Sequence, residues 1–302
     1  MVKIMLPTWI AAFARAVLLA GLLGASLAHA QKGFTTPEAA AETLVKALRD
    51  NDSRLLEVVL GKEWKRFVPT DELSRNDVAA FLAGWDKQHR IEHESDGIAL
   101  LTVGEDKGFT LPIPIARSKQ AQWSFDVVGG TERLRTARIG RNERAAILAV
   151  LAYYDAQREY ATKDRTGEGV LEYARKLVSS PGTRDGLYWP SPLDVDESPL
   201  GPLIAQQPPK GPGYWGYHYV ILTRQGKSAP GGAYDYVIGG RMRAGFALVA
   251  WPVRYGDTGV MSFMINHSGV VYEKDLGPNT DAAARGMTRF DPDESWRKTS
   301  IP

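Results

Sequence analysis

The residues best suited to hold a ligand are two charged and three aromatic side chains in the second half of the chain. They are Arg184, Asp185, Tyr188, Trp189 and Trp215. Tyrosine and tryptophan rings offer flat surfaces on which sugars or peptides stack, and arginine and aspartate supply hydrogen bonds beside them. These residues predict a polar pocket lined by aromatic rings, and we expect any ligand to bind there.

The aromatic part of this cluster has a second interpretation. Trp215, Tyr217 and Tyr219 alternate along the chain, so on a β-strand they would share one face. That face is either an exposed stacking platform or part of a core beneath a long helix. We favour the core interpretation, and solvent quenching of tryptophan fluorescence would separate the two.

Residues 89–93 spell an inverted zinc-protease motif, His-Arg-Ile-Glu-His. In that motif two histidines one helical turn apart bind the metal, and the glutamate acts as a base. All five residues must then lie on one helix. The apolar helical pattern ends at Trp85 and a turn signal begins at Glu94. We therefore predict a solvent-exposed helix end without a metal.

Residues 164–169 resemble a calcium-binding loop, in which alternate oxygen ligands and a tight glycine turn enclose the ion. Arg165 places a positive charge in this loop, and Thr166 replaces a carboxylate. Glu172 lies at the wrong distance to close the site. We predict a glycine-rich turn between helices, and we expect no metal and no cofactor.

Catalytic motifs are scarce. The chain has no cysteine, no Gly-x-Ser-x-Gly elbow and no phosphate-binding glycine loop. Asp155 and Glu159 share one helical face and could act as acid and base, but such pairs are more often an exposed helix surface. Whether the protein is an enzyme stays open, and a protein without catalytic activity is favoured.

The first thirty residues have the pattern of an export signal. Lys3 and Arg15 precede an apolar run over residues 16–27, and Ala28-His29-Ala30 gives the small-x-small pattern that signal peptidases cut. The run is shorter than the about 20 residues that a membrane span needs. We predict cleavage near Ala30 and a periplasmic or secreted protein without a transmembrane anchor.

The charge of the mature chain limits its partners. Residues 1–30 contain two of the 37 Lys and Arg residues and none of the 35 Asp and Glu residues, so the remainder has a formal charge of zero. A balanced chain without a basic run lacks the features that bind nucleic acid or anionic lipid. An envelope protein or a glycan is the expected partner.

Residues 31–130 predict an N-terminal α+β domain. Helices are expected from Phe34, where Thr35-Thr36-Pro37-Glu38 supplies a capping hydroxyl, over 53–60 and over 75–88. Strands are expected over 98–103, 109–115 and 122–127. Pro112 and Pro114 lack amide donors, so the middle strand belongs at an edge. Helices followed by a small antiparallel sheet resemble the cone of nuclear-transport-factor-like domains.

Residues 131–302 predict a second α+β domain, because Gly129-Gly130 interrupts the pattern. A linking segment to Gly140 is expected to lead into a long helix over residues 142–162, followed by a short helix over 170–177. A proline-rich stretch over residues 181–213 would wrap a surface. Four or five short β runs then predict an antiparallel meander packed on the long helix.

Five stretches of the mature chain resemble an exported bacterial family catalogued as domain of unknown function 2950. They are residues 139–143, 155–160, 184–190, 198–203 and 245–252. The resemblance covers nearly all of the mature chain and implies no activity. Residues 142–276 also resemble, more weakly, the globular part of pilin-like proteins, although the long apolar assembly helix of pilins is missing. That similarity would concern the fold alone.

Two functions follow from these observations. The first is an envelope protein that binds or scaffolds, because a leader is present and catalytic motifs are absent. The second is a cell-wall carbohydrate or peptide hydrolase that uses carboxylates in a cleft lined by Tyr188, Trp189 and Trp215. Two convergent acids about 5–10 Å apart would favour the hydrolase.

Overall fold

The computed structural model describes residues 31–62, 64–67, 75–105, 108–190, 197–201 and 213–299. The predicted leader and much of the proline-rich stretch lie outside these ranges. The chain divides into two compact units, of which the first ends at Ala137 and the second begins at Arg138. Both contain helices and antiparallel sheets, which confirms the α+β class. Among the described residues, no helix combines the length and apolar character that crossing a bilayer requires.

Helices begin the first unit. They are α1 (Pro37–Arg49), α2 (Ser53–Leu60), α3 (Trp64–Phe67) and α4 (Arg75–Lys87). The Thr36 hydroxyl accepts a hydrogen bond from the Ala39 amide at 3.2 Å, as the sequence predicts for the start of α1. The Asp52 carboxylate caps α2 in the same way. One apolar face of α1, which includes Leu44 and Val45, is buried in the core of this unit.

An antiparallel sheet completes the first unit. Its strands are β1 (His89–Ser95), β2 (Ile98–Val103), β3 (Phe109–Thr110), β4 (Ile115–Arg117) and β5 (Trp123–Phe125), in the order β1-β2-β4-β5 with β3 beside β2. The predicted strand over residues 109–115 is wrong in one respect, because it is two strands. Pro112 and Pro114 lie in the interruption, where no amide donor is needed.

Strand β1 corrects the prediction of a helix end at the zinc-like motif. His89 to His93 pair residue by residue with Val103 to Ala99 of β2. The Asp96-Gly97 pair forms the turn between the two strands, a dipeptide typical of hairpins. Side chains on a strand alternate between faces and do not repeat at one helical turn. The helical spacing that the motif needs is therefore absent from residues 89–93.

The long helix also begins earlier than predicted. Helix α5 spans Val127–Tyr160 and includes the two glycines that were predicted to end the first domain, as well as Gly140. The Asp126 carboxylate accepts a hydrogen bond from the Gly129 amide at 2.8 Å, which caps the first turn. A Cβ atom at Gly130 would lie 2.8 Å from the Cα atom of Ile113. Gly130 therefore permits close packing and does not break the helix.

The second unit is built on a five-stranded antiparallel sheet. Its strands are β8 (Tyr217–Leu222), β13 (Ala247–Pro252), β14 (Met261–Asn266), β15 (Val271–Asp275) and β16 (Arg297–Lys298), in the order β16-β15-β14-β13-β8. This confirms the predicted meander. Every residue of β13 is buried, as expected for a strand that is covered on both faces. Tyr153 of α5 donates a hydrogen bond to the Ala247 carbonyl, and α6 (Thr280–Arg285) packs against β13.

Short strands surround this sheet. They are β6 (Lys176–Val178), β7 (Gly186–Tyr188), β9 (Arg224–Gln225), β10 (Tyr234–Asp235), β11 (Val237–Ile238) and β12 (Arg241–Met242). The predicted helix over residues 170–177 is wrong, because β6 pairs in parallel with β7 and the Tyr173 amide donates to the Met242 carbonyl. These sheet-type pairings to distant residues replace the local hydrogen bonds of a helix.

Candidate functional site

A groove between α1 and α4 is the best candidate for a ligand site in the first unit. Its volume is about 380 Å³, within the range of about 300–1,000 Å³ that small-molecule sites occupy. The lining residues are Glu42, Val45, Lys46, Arg49, Asp50 and Trp85. Four of them come from α1 and Asp50 is its C-cap; relative to Glu42 they lie three, four, seven and eight residues on, so they share one side of the helix. We call this feature the α1–α4 groove.

Charged side chains of both signs surround the groove, and most of them are paired. Lys46 Nζ lies 2.5 Å from Asp50 Oδ2, and this hydrogen bond raises the pKa of Lys46. Arg49 pairs with Asp86, just beyond Trp85. Glu42 is exposed, and its carboxylate has no hydrogen-bond or ion-pair partner among the described residues. Glu42 is therefore the lining carboxylate whose lone pairs are open to a ligand.

Trp85 supplies the aromatic surface of the groove, and His89 fixes its orientation. The imidazole of His89 stacks on the indole with ring centroids 3.6 Å apart and planes 4° apart. His89 Nδ1 lies 3.0 Å from the Trp85 carbonyl oxygen, which holds the imidazole in place. Trp85 is half-buried and also packs against the core of the unit. The indole is thus held rigidly while part of its surface lines the groove.

Asp185, one of the predicted site residues, is engaged inside the β6–β7 connection. Its carboxylate accepts hydrogen bonds from Lys176, the Ser180 amide and Thr183, at 2.5, 2.8 and 2.8 Å. The hydrogen bond from Lys176 is the main reason that the pKa of Asp185 lies well below its usual range. This aspartate stabilises a turn, and the structure leaves it little capacity for a ligand.

Trp189 belongs to the hydrophobic core of the second unit. Its indole is buried, and the guanidinium groups of Arg165 and Arg184 lie 5.4 and 5.7 Å from its centroid. The hydroxyl of Tyr160 donates to the Arg184 carbonyl at 2.7 Å, and burial raises the pKa of that hydroxyl to about 12. Trp189 therefore offers little open ring surface, and the adjacent Tyr188 is half-buried.

Trp215 does not join the other predicted site residues. It lies in a tight turn before β8, where Trp215 has a φ of 53° and Gly216 a φ of 74°. A Cβ atom at Gly216 would lie 2.8 Å from Asn142 Nδ2, so this turn packs near residue 142 of α5. Arg184 contacts residue 160 of the same helix. Those positions are about 27 Å apart along a helix that rises about 1.5 Å per residue.

The interpretation of the row Trp215, Tyr217 and Tyr219 as core is correct for the two tyrosines and wrong for Trp215. Tyr217 is fully buried and Tyr219 packs against the core of the second unit. The Tyr217 hydroxyl donates to the Met261 carbonyl at 2.9 Å, and its ring tilts against Phe263 with centroids 5.9 Å apart. Trp215 precedes the strand and so lies outside this row.

The two carboxylates that line the α1–α4 groove are not arranged as a hydrolase pair. Glu42 and Asp50 both line the α1–α4 groove, but they are eight residues apart on one helix, about 12 Å along its axis. Glycosidase carboxyl groups lie about 5–10 Å apart and converge on one bond. Asp155 and Glu159 are exposed on the surface of α5, as predicted for a helix surface.

A serine, a histidine and an aspartate on one face of the large sheet are also too far apart for catalysis. Ser262 of β14 and His218 of β8 are separated by β13, whose Trp251 lies opposite His218. Two strand spacings amount to about 10 Å, far beyond hydrogen-bond reach. Asp281 accepts its hydrogen bond from the Trp251 indole at 2.9 Å. The three residues therefore do not form a triad.

The calcium-like loop forms a glycine-rich turn as predicted, but the turn does not join two helices, because β6 is the next element after α5. The Asp164 carboxylate accepts hydrogen bonds from the amides of Gly167 and Gly169 at 2.8 and 2.7 Å, and the bond from Gly169 contributes most to lowering its pKa. These bonds direct the carboxylate toward the loop backbone. Within the described ranges, no group of three His, Cys, Asp or Glu side chains is placed to hold a metal ion.

Comparison with known proteins identifies a family without an assigned activity. A family model described as "Protein of unknown function (DUF2950)" matches residues 31–299. No curated protein and no solved structure matches the chain. The similarities to nuclear-transport-factor-like and pilin-like domains therefore stay predictions.

Sequence reasoning did not find the α1–α4 groove. Its charged residues follow the ordinary pattern of an exposed helix surface, and Trp85 fits the apolar stripe of α4. The available signal was the tryptophan followed four residues later by a histidine, a spacing at which two rings can contact each other. The structure ends α4 at Lys87 and begins β1 at His89.

Proposed function

The chain belongs to the DUF2950 family of proteins of unknown function, and we propose that it is an exported envelope protein that binds a small ligand in the α1–α4 groove without altering it. One observation carries the proposal. The groove combines a rigidly held indole with an exposed carboxylate, Glu42, that has no partner among the described residues. Sites with a few placed polar groups beside an aromatic surface are typical of small-molecule binding.

The spacing of the acids favours binding over hydrolysis. Asp50 is held by Lys46 and lies about two helical turns from Glu42. A glycosidase needs one carboxyl group to protonate the leaving oxygen while the other attacks or activates water on the same bond. Glu42 alone can orient a ligand by accepting hydrogen bonds, which is the role that we assign to it.

Export is the second part of the proposal. Residues 1–30 have the signal-peptide pattern, and the family match begins at residue 31. N-terminal sequencing of the protein recovered from a periplasmic fraction tests this directly. We expect a chain that starts at Gln31. A chain that keeps Met1 and remains in the cytosol would contradict the proposed location.

Native mass spectrometry tests the binding function. The protein is incubated with periplasmic extract, purified again and measured beside Glu42→Gln and, as a matched control, Glu57→Gln on α2, outside the groove. We expect a small-molecule adduct on the unmodified protein and on the Glu57 variant, and much less on the Glu42 variant. The released ligand should have the same mass as in the extract.

Two outcomes would contradict this function. An adduct of equal abundance on all three proteins would place binding outside the α1–α4 groove. A ligand that returns cleaved would favour the hydrolase, because the groove would then perform chemistry. A ligand of unchanged mass that depends on Glu42 supports binding without turnover.

A further inference from the structure

We infer that the outer edge of strand β1 pairs with the same edge of a second copy of this chain, in antiparallel orientation and with Ile91 on the two-fold axis. This inference goes beyond the proposed ligand binding and does not depend on it. Three observations lead to it: the open edge of β1, the direction of its backbone groups and the order of its charges.

The sheet of the first unit has two outer strands, and the chain itself covers one of them. At β5, Trp123 and Phe34 exchange both of their backbone hydrogen bonds at 2.8 Å. Strand β1 pairs with β2 on one side, and no described residue pairs with its other side. Its residues are exposed or half-buried throughout. An open edge of this kind presents amide and carbonyl groups to which another strand can add.

The alternation of hydrogen bonds shows which residues of β1 face β2. The Gly104 amide donates to the Gln88 carbonyl at 2.7 Å, directly before the first residue pair of the two strands. In an antiparallel pair, every second residue directs both of its backbone groups to the neighbouring strand. Counting on from Gln88, the backbone groups of Arg90 and Glu92 therefore point to β2.

The remaining residues of this segment direct their backbone groups outward. They are His89, Ile91 and His93, and a bulge after His93 ends the regular edge. This edge spans residues 89–93 and has Ile91 at its centre. When two such edges meet about a two-fold axis at Ile91, His89 lies opposite the second copy's His93, and each pair of residues exchanges both hydrogen bonds. A second copy therefore satisfies every outward group of the edge.

The charges of β1 select this register. Arg90 and Glu92 share one face of the strand, with Arg90 Nε 2.5 Å from Glu92 Oε1. With Ile91 on the axis, Arg90 lies opposite the second copy's Glu92 in a non-hydrogen-bonded pair, where the Cα atoms are about 4.5 Å apart. A shift by two residues would place Arg90 opposite Arg90, or Glu92 opposite Glu92. Like charges directly opposite each other are destabilising, so one pairing of the edge with itself is favoured.

Sedimentation velocity of the full protein tests the inference. We expect monomer and dimer to interconvert between about 1 and 200 µM, because a short strand edge forms a small interface. Arg90→Glu places like charges opposite each other, and so does Glu92→Arg. Each change should raise the Kd of the dimer at least about tenfold. The matched control is Arg135→Glu, which disrupts the exposed Arg135–Glu132 pair on α5 and should leave the Kd unchanged.

A mixture of the two β1 variants tests the register. In a dimer that contains one chain of each variant, both cross-strand contacts again join opposite charges. We expect this mixed dimer to form with a Kd within about threefold of that of the unmodified protein. Native mass spectrometry identifies it, because the two variants differ in mass. Neither variant has the ion pair between residues 90 and 92 of its own strand, so that pair cannot explain the recovery.

Cysteine cross-linking gives an independent measurement if a charge variant fails to fold. The chain has no cysteine, so Ile91→Cys introduces a single thiol. In the inferred dimer the two thiols face each other across the axis, with Cα atoms about 5.5 Å apart. A short bismaleimide should join two chains of Ile91→Cys. The control Val58→Cys, at an exposed position of α2, should stay uncross-linked at the same concentration.

Three outcomes would overturn the inference. A protein that stays monomeric up to about 200 µM has no such interface, and the edge of β1 would then be open to a strand of a different protein. A dimer that neither β1 variant weakens is formed by another surface. Folded variants that lose the dimer and do not recover it when mixed would contradict the antiparallel register about Ile91.

Discussion

The α1–α4 groove and the polar interior of the second unit use the same kinds of residues in opposite ways. In the groove, charged side chains face solvent and Glu42 has no partner within the described residues. In the second unit, Gln157 is fully buried and its side-chain amide serves the fold. Its amide donates to Tyr153 and to the Ala174 carbonyl, and accepts from the Ala174 amide, at 2.7–3.0 Å.

The same contrast holds for the residues that first suggested a ligand site. Asp185 is saturated by neighbours within its own turn, and Trp189 is buried beside two arginines. Residue types that can perform chemistry are therefore also common at positions where their contacts stabilise the fold. A candidate site is better identified by polar groups that the fold leaves unsatisfied at the surface, since buried groups almost always find partners inside the protein.

The largest expected effect is the loss of the Gln157 network. Gln157→Leu removes the partners of the Ala174 amide and carbonyl, and unsatisfied buried groups are costly. We expect the free energy of unfolding to fall by about 3 kcal/mol, measured by urea denaturation. The control is Gln88→Leu at an exposed position of the first unit, with little expected change. A similar fall in the free energy of unfolding of both variants would contradict the structural role assigned to Gln157.

Ion pairs give the second comparison. Arg138 and Asp257 are only 14 % and 16 % exposed, whereas Arg49 and Asp86 at the groove are 46 % and 60 % exposed. Asp257 keeps a second partner in Arg254. We expect Arg138→Met to lower the free energy of unfolding by about 2 kcal/mol. Arg49→Met should change it by less than about 0.5 kcal/mol. Thermal denaturation of both variants measures the difference, and a larger loss for Arg49→Met would contradict it.

Acid titration of stability provides the third comparison. The pKa of Asp185 is lowered in the folded protein, mainly by Lys176, so its contribution is complete above the unfolded pKa of about 3.9 and declines as the pH falls below that value. Asp185→Asn should lower stability by about 1 kcal/mol at pH 7. The gap between the variant and the unmodified protein, followed by thermal denaturation, should narrow from pH 4 to pH 3. A constant gap would show that charge plays no part.

The smallest expected effect belongs to the groove. Glu42→Gln removes a carboxylate that the fold does not use, so the free energy of unfolding should change by less than about 0.5 kcal/mol. Urea denaturation of this variant and of Glu57→Gln gives the comparison. A clear loss of stability in Glu42→Gln alone would show that this carboxylate stabilises the fold, which would weaken its assignment to a ligand.

Local patterns in the sequence predicted many elements well. The cap at Thr36, the helix over residues 53–60 and the strand over 98–103 all occur as expected. Each depends on neighbouring residues, either a capping side chain or a run of apolar side chains with a regular period. The aromatic row of Tyr217 and Tyr219 was also predicted, because alternation places both on one buried face.

Long-range contacts explain the elements that were mispredicted. Strand β1 is mostly polar and becomes a strand through its pairing with β2. Gly130 lies inside α5, and its lack of a Cβ atom allows the close approach of Ile113. Residues 176–178 form a strand with 186–188, across a turn that Asp185 stabilises. The α1–α4 groove was missed for the same reason, since it requires Trp85 to lie beside α1, which no local pattern shows.

Helix α5 determines how the two units can be studied apart. It runs without interruption through Ala137 and Arg138, where one unit ends and the other begins. A shortened gene that encodes one unit must start or stop inside this helix, and a new start leaves four backbone amides without their carbonyl partners. An engineered serine or aspartate directly before the first retained turn would satisfy part of that deficit. Dissection of this protein therefore begins with the design of an artificial cap.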